Sequence, residues 1–176
     1  MALSQQIQKT INGIRKDFPT TQALLIPVLH EIQEEQGWVS PQSLQDTADF
    51  LELPLSKVKE VATFYTMFQL EKPLGKVHLQ FCVNISCWLN GSDKLLHCAE
   101  KRLGIKCGET TKDGKFTISE VECLASCGTA PVLQMNQDYF ESLSVPKLNE
   151  LLDQADRELS AGKIVGKSTQ QPGVWP

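Results

Sequence analysis

Apolar residues recur at helical spacing through most of the first seventy positions. Ile7, Ile11 and Ile14 start the pattern at intervals of four and three, and Leu25, Val28, Leu29 and Ile32 repeat it more fully. Thr20 and Thr21 offer N-caps for this second helix and Gly37 a stop, while Pro27 predicts a kink or a delayed start. Ser40-Pro41 reads as an N-cap followed by a first-turn proline, with Leu44, Ala48 and Leu51 on one face and Pro54 beyond the end. Val58, Val61, Ala62 and Tyr65 then predict a helix from Ser56 to about Phe68. Four amphipathic helices in a row predict a small helical bundle.

The period changes near Pro73-Leu74-Gly75. Val77, Leu79 and Phe81 alternate with Lys76, His78 and Gln80, as in a half-buried strand. After an Asn90-Gly91 turn, Leu95, Leu96, Ala99 and Leu103 line a helix that closes at Gly104. Asp113-Gly114 precedes a second alternating run, Lys115 to Glu122, with Phe116, Ile118 and Val121 as its apolar positions. A short strand from Pro131 to Met135 and a helix opened by Pro146, with Leu148, Leu151, Leu152 and Ala155, complete a β-α-β-β-α order. The chain therefore reads as α+β: a helical bundle over residues 1–72, a thioredoxin-like α/β layer over 73–160, and a tail over 161–176. That tail has glycine, proline and glutamine without an apolar period, so it is expected to be disordered or to lie on a partner.

Composition narrows the function. A chain of 176 residues that is 41% hydrophobic can bury a sizeable core. Its formal net charge is −4, with no block of lysine or arginine to follow a phosphate backbone, so nucleic acid is excluded as a partner. The longest apolar runs fall well short of the roughly 20 residues that span a bilayer. The first residues carry no secretory or transit signal, which predicts a cytoplasmic location.

Six cysteines in a reducing compartment make poor structural disulfides and better metal ligands. Cys82 ends the first predicted strand, and Cys87 follows after four residues. Cys123 ends a later strand, and Cys127 follows after three. If the two strands run parallel, both pairs occupy the same sheet edge and four thiolates can converge there. Soft thiolate ligands select iron–sulfur clusters or zinc, and the spacing alone leaves both open. A two-iron cluster is wider than one ion and needs two cysteines per iron. The loops that carry Asn84, Ser86, Ala125 and Ser126 can aim backbone N–H groups at the sulfurs. With four thiolates an oxidised [2Fe–2S] centre carries −2 and its reduced form −3. All-cysteine sites of the plant type lie near roughly −400 mV, a range in which NADH needs a nearby flavin to split its electron pair. Neither pair has the C-x-x-C spacing of dithiol oxidoreductases.

Over about residues 20–160 the chain resembles the small [2Fe–2S] subunit of respiratory complex I, NADH:quinone oxidoreductase. The likeness rests on Leu25-Ile26-Pro27-Val28-Leu29-His30-Glu31-Ile32-Gln33, on Gly37-Trp38-Val39 and on Val61-Ala62-Thr63-Phe64-Tyr65. It rests equally on the C-x4-C pair with Cys123-Leu124-Ala125-Ser126-Cys127-Gly128-Thr129-Ala130-Pro131.

The resemblance implies a helical bundle followed by a thioredoxin-like [2Fe–2S] ferredoxin domain, one cluster on Cys82, Cys87, Cys123 and Cys127, and no catalytic residue in the chain itself. It also implies a larger partner subunit that binds NADH and FMN, other partners in the peripheral arm, and a cytoplasmic position on an inner-membrane complex without membrane insertion. The same module in an NAD-linked hydrogenase or formate dehydrogenase is the nearest alternative, and a zinc-stabilised interaction module is the alternative from another class. Trp88 departs from the smaller residues common after the second cysteine and is expected to pack or to shield the cluster. The tail from Leu159 through Ile164 resembles longer relatives and is expected along the flavoprotein.

Of the remaining residues, Cys98 is expected in the core, while Cys107, in the loop after Gly104, is a candidate exposed thiol outside the ligand pattern whose role the sequence leaves open. His30, His78 and His97 have no nucleophilic partners. Phe64 and Tyr65 are expected to be buried against a second domain or a partner.

Overall fold

The computed structural model describes residues 3–163 and residue 165. The chain divides into two compact units, Met1–Pro73 and Leu74–Pro176.

The first unit is helical. Helices α1 (Gln5–Ile14), α2 (Leu25–Gln36), α3 (Pro41–Leu51) and α4 (Leu55–Phe64) pack so that α2 touches the other three and α3 touches α4. The predicted stripes meet in its core: Ile7, Ile11, Leu25, Val28, Leu29, Ile32, Leu44, Ala48, Leu51, Val58 and Ala62 are all buried.

Local chemistry sets the helix ends. The Ser4 hydroxyl accepts from the Ile7 N–H at 3.2 Å, and that of Ser40 accepts from the Ser43 N–H at 3.1 Å. Gly37 closes α2 at φ +78°.

One expectation holds and one changes here. The start of α2 is delayed: a 3₁₀ turn capped by Thr20 comes first, and the α-helix begins at Leu25, which makes Pro27 its third residue, where the missing N–H has no intrahelical acceptor to lose. Helix α4 stops at Phe64, four residues before the expected end. There the side chain of Gln33 accepts from the Gln69 N–H at 2.7 Å and donates to the Met67 carbonyl at 2.8 Å, holding a turn that buries Phe68.

The second unit is a four-stranded sheet of order β2-β1-β3-β4, formed by β1 (Val77–Cys82), β2 (Phe116–Val121), β3 (Leu133–Met135) and β4 (Asp138–Phe140). Strand β1 runs parallel to β2 and antiparallel to β3, and β3 runs antiparallel to β4. The helices α5 (Ile85–Leu89) and α6 (Ser92–Leu103) join β1 to β2, and α7 (Val145–Ser160) follows the sheet.

Val77, Leu79 and Phe81 pack with Leu95, Leu96 and Ala99 of α6 and Leu148, Leu152 and Ala155 of α7 into one core. The observed architecture is α+β, a helical unit followed by a four-stranded sheet with its helices.

Strand β4 and helix α5 are absent from the β-α-β-β-α reading. The first is three residues long behind Asn136 at φ +54°, and the second five residues long, too short to show a period. Val165 is also buried against this core, and its carbonyl accepts from the Asn136 side chain at 2.7 Å. This part of the tail therefore packs on its own domain. The expected course of the rest along a partner falls on Ile164 and residues 166–176, outside the described residues.

Candidate metal centre

The parallel β1–β2 ladder places Cys82 opposite Val121, so both strands end at one edge of the sheet. The next backbone bond, Val83 N–H to the Val121 carbonyl at 3.0 Å, carries the pairing one step past Cys82. Asn84 then caps α5, its side-chain oxygen accepting from the Ile85 N–H at 2.9 Å, and the short helix turns Cys87 back toward the sheet.

On the other strand, Cys123 lies two residues beyond the end of β2 rather than at it. Ala125 takes a left-handed conformation at φ +57°, which reverses the chain into the 3₁₀ turn Cys127–Thr129. An alanine in that conformation is uncommon and stores some strain.

The four sulfurs form a contiguous array. Cys82 lies near enough to Cys87 and Cys123 for both thiols to act on its ionisation, and the Cys123 and Cys127 sulfurs are 3.9 Å apart. Cys82 and Cys87 are 2% and 1% exposed, whereas Cys123 and Cys127 face solvent. The array thus has an inner and an outer pair.

Backbone donors surround it: the Ala125 N–H lies 3.3 Å from the Cys123 sulfur, the N–H groups of Asn84 and Leu124 reach Cys82, and that of Val132 reaches Cys87. Burial pushes the Cys82 thiol up, but these N–H groups and the neighbouring thiols outweigh burial and hold it below the ordinary value. Burial, with Cys82 beside it, pushes Cys87 up to about 11. Cys127 is raised by its hydrogen bond to Cys123 and by the charge there. The surroundings thus favour the ionised form at Cys82 and oppose it at Cys87 and Cys127.

Among the described residues, no three His, Cys, Asp or Glu side chains converge on a point that could hold a single metal ion.

Two polar residues that the sequence reading did not assign hold the cysteine loops. The Ser86 hydroxyl donates to the Cys127 carbonyl at 2.9 Å, linking one loop to the other. Glu141 accepts from the hydroxyls of Ser126 and Thr129, the latter at 2.8 Å. Ser86 shows in the sequence only as a small polar residue within C-x4-C, and Glu141 has no cue, because β4 brings it back from outside the motif.

The other candidates separate from this edge. Cys98 is half-buried beside the sheet core, and Cys107, also half-buried, packs against the same core, where burial and the Glu120 charge push it up. Burial lowers His30 and takes His78 down to about 4. His97 lies within 2.8 Å of the Asp93 carbonyl on its own helix.

The expected packing of Trp88 does not occur, since its side chain is 57% exposed. It shares one face of α5 with Ile85 and Leu89, which are also exposed, while the inward position of this five-residue helix is taken by Cys87. Phe64 and Tyr65 stand edge to face with ring centroids 5.0 Å apart, and both present surface outside the core of the helical unit. Among the described residues no helix is long and apolar enough to cross a membrane.

A parallel strand pair that delivers four cysteines to one edge of a thioredoxin-like sheet, preceded in the chain by a helical bundle, defines the class of protein. Residues 11–156 match the sequence model of the thioredoxin-like [2Fe–2S] ferredoxins, and the chain belongs to that family.

It is 47% identical over 131 residues to a protein of Rickettsia prowazekii (strain Madrid E) named as a subunit of NADH-quinone oxidoreductase, covering 74% of this chain and 73% of that one. A protein of Aquifex aeolicus (strain VF5), named as the same subunit of that oxidoreductase, is 44% identical over 150 residues, covering 85% and 91%. A solved NAD+-reducing [NiFe]-hydrogenase in the air-oxidized state contains the same fold, with a TM-score of 0.68 at 18% identity, covering 77% of this chain and 23% of that chain.

Proposed function

We propose that this chain holds one [2Fe–2S] cluster through Cys82, Cys87, Cys123 and Cys127 and works as an electron-transfer subunit of NADH:quinone oxidoreductase. Single electrons pass between it and FMN held by a larger partner subunit, which also binds NADH. The chain itself performs no bond chemistry. It occupies the peripheral arm, on the cytoplasmic side of an inner-membrane complex.

The observation that carries this reading is the sulfur array itself: an inner pair on the first loop meets an outer pair on the second, through the contact of Cys82 with Cys123. Two pairs rather than one knot of ligands suit a binuclear centre, in which each iron takes two thiolates. A single zinc ion would instead require at least three ligands converging on one point.

The donors fit too. Every N–H group aimed at a sulfur lowers the cost of placing negative charge there, and these groups belong to loop backbone that the sheet edge fixes. When bound, the cluster supplies a one-electron acceptor and donor.

The residues divide the remaining work. Cys82 and Cys87 close the inner side against water, and Cys123 and Cys127 leave the outer side open to a partner. Assignment to this complex rather than to a hydrogenase follows the sequence relatives, which share 43–47% identity and carry the name of the quinone oxidoreductase.

The test is iron and acid-labile sulfide analysis of anaerobically prepared protein. About two of each per chain, with a paramagnetic signal after dithionite reduction, is the expected result; a colourless protein with one zinc per chain would refute the reading. Purification of the native assembly by a tag on this chain tests the partner, and FMN must accompany the larger subunit that copurifies.

A further inference from the structure

We infer that Glu141 is a positioning residue for the Cys127 side of the metal centre, acting through the hydroxyls of Ser126 and Thr129. The inference rests on the ligand reading above and goes beyond it.

The Cys127 turn has little apolar packing to fix it. Cys123 and Cys127 are exposed, and nothing lies within 4 Å of the position a side chain would take at Gly128. What holds the turn is polar. Glu141, one residue past β4, presents a single carboxylate oxygen to Ser126 and to Thr129, the residues on either side of Cys127-Gly128. The two hydroxyls also lie 2.8 Å from each other. The Ser142 N–H adds a backbone bond to the Thr129 carbonyl at 2.7 Å.

On the opposite side the Ser86 hydroxyl grips the Cys127 carbonyl. Cys127 is therefore suspended between a loop that follows β1 and a segment that follows β4. A carboxylate that accepts two hydroxyl protons stays charged, and its pKa lies below the usual range because of those bonds. Its charge is held against Ser126 and Thr129 on either side of Cys127-Gly128, where it opposes the arrival of an electron.

Glu141→Gln keeps an oxygen for both hydroxyls and removes the charge, whereas Glu141→Ala removes both. In holoprotein, release of iron to the chelator EDTA is expected to be about tenfold faster for Glu141→Ala than for wild type, and within twofold of wild type for Glu141→Gln. At a fixed solution potential, Glu141→Gln is expected to raise the ratio of reduced to oxidised protein roughly three- to tenfold. The upper figure corresponds to a 59 mV shift for one electron.

The double variant Ser126→Ala with Thr129→Ala must reproduce the fast release, which covers the case in which Glu141→Ala fails to fold. Glu60→Gln, an exposed carboxylate of the helical unit, must change neither reading. Release from Glu141→Gln as fast as from the double variant, or from the double variant as slow as from wild type, would overturn the positioning role. A wild-type sample lacking two irons and two sulfides per chain would instead overturn the ligand reading, and this inference with it.

Discussion

Cys82 faces Val121 across the parallel ladder, and this pairing decides where every other sulfur can go. Because the two strands end level, the loops after them leave from the same edge, and residues forty positions apart in sequence become neighbours. Replacing Cys87 or Cys123 by serine removes a thiolate from the inner or the outer pair. Iron and sulfide content are expected to fall below half of wild type in both variants, since an alkoxide is a poorer match for the metal than a thiolate. Cys98 stands apart from the array, its thiol directed at the Asn149 side chain, and Cys98→Ser is expected to keep full content. Equal loss in all three variants would contradict the assignment.

His78 gives the fold a pH dependence of known sign. It points away from the helix-covered face of β1, its Nε2 is 2.6 Å from the Ser119 hydroxyl, and burial lowers its pKa from 6.5 to about 4. The folded protein therefore keeps the ring neutral where the unfolded chain protonates it. The stability contributed by the neutral ring is complete above pH 6.5 and is lost as the pH falls from there toward 4. Between pH 7.5 and pH 5 wild type is expected to lose about 2 kcal/mol more unfolding free energy than His78→Gln. Urea denaturation at the two pH values measures it, and parallel curves for both proteins would refute the buried neutral ring.

How much of this the sequence made legible depends on the range of each interaction. Helix caps and stripes are local, so Ser40-Pro41, Gly37 and Gly104 mark observed ends, and Val77, Leu79 and Phe81 mark a buried strand face. The cysteine spacing was legible for the same reason. The early end of α4 was not, because the Gln33 side chain that captures residues 67–69 lies on another helix. Nor was the role of Glu141, whose partners are twelve or more positions away. Trp88 failed for a third reason: an apolar residue beside a motif suggests burial, yet the inward position of the short α5 is taken by Cys87.

Gly75 marks a contact that only the assembled sheet makes visible. A Cβ there would lie 2.8 Å from the Phe116 carbonyl carbon and 3.0 Å from the Phe116 nitrogen, both backbone atoms that cannot step aside. Its own N–H also donates to the Thr117 hydroxyl at 2.7 Å, tying the entry of β1 to β2. Gly75→Ala must spread the two strands, at a cost of about 1–3 kcal/mol. Denaturant unfolding reads the loss directly. A change under about 0.5 kcal/mol would mean that the two strands start farther apart than these distances.

The same ladder distinguishes Phe81 from Trp88, two large aromatic residues close in sequence and on either side of the inner cysteine pair. Phe81 has no exposed surface and packs within the sheet core, so Phe81→Ala leaves a cavity among Leu79, Leu133 and their helix neighbours. It is expected to cost about 3–5 kcal/mol. Trp88 is more than half in water on the outer face of α5, and Trp88→Ala is expected to change stability by less than about 0.5 kcal/mol. The helix is nevertheless pinned at its N-terminal end without its tryptophan, by the Asn84 cap and by the Ser86 bond to Cys127. The Trp88→Ala protein should therefore hold two irons per chain and unfold at the wild-type urea midpoint. A large drop in that midpoint would place the indole against the domain surface, and the exposed face of α5 would have to be redrawn.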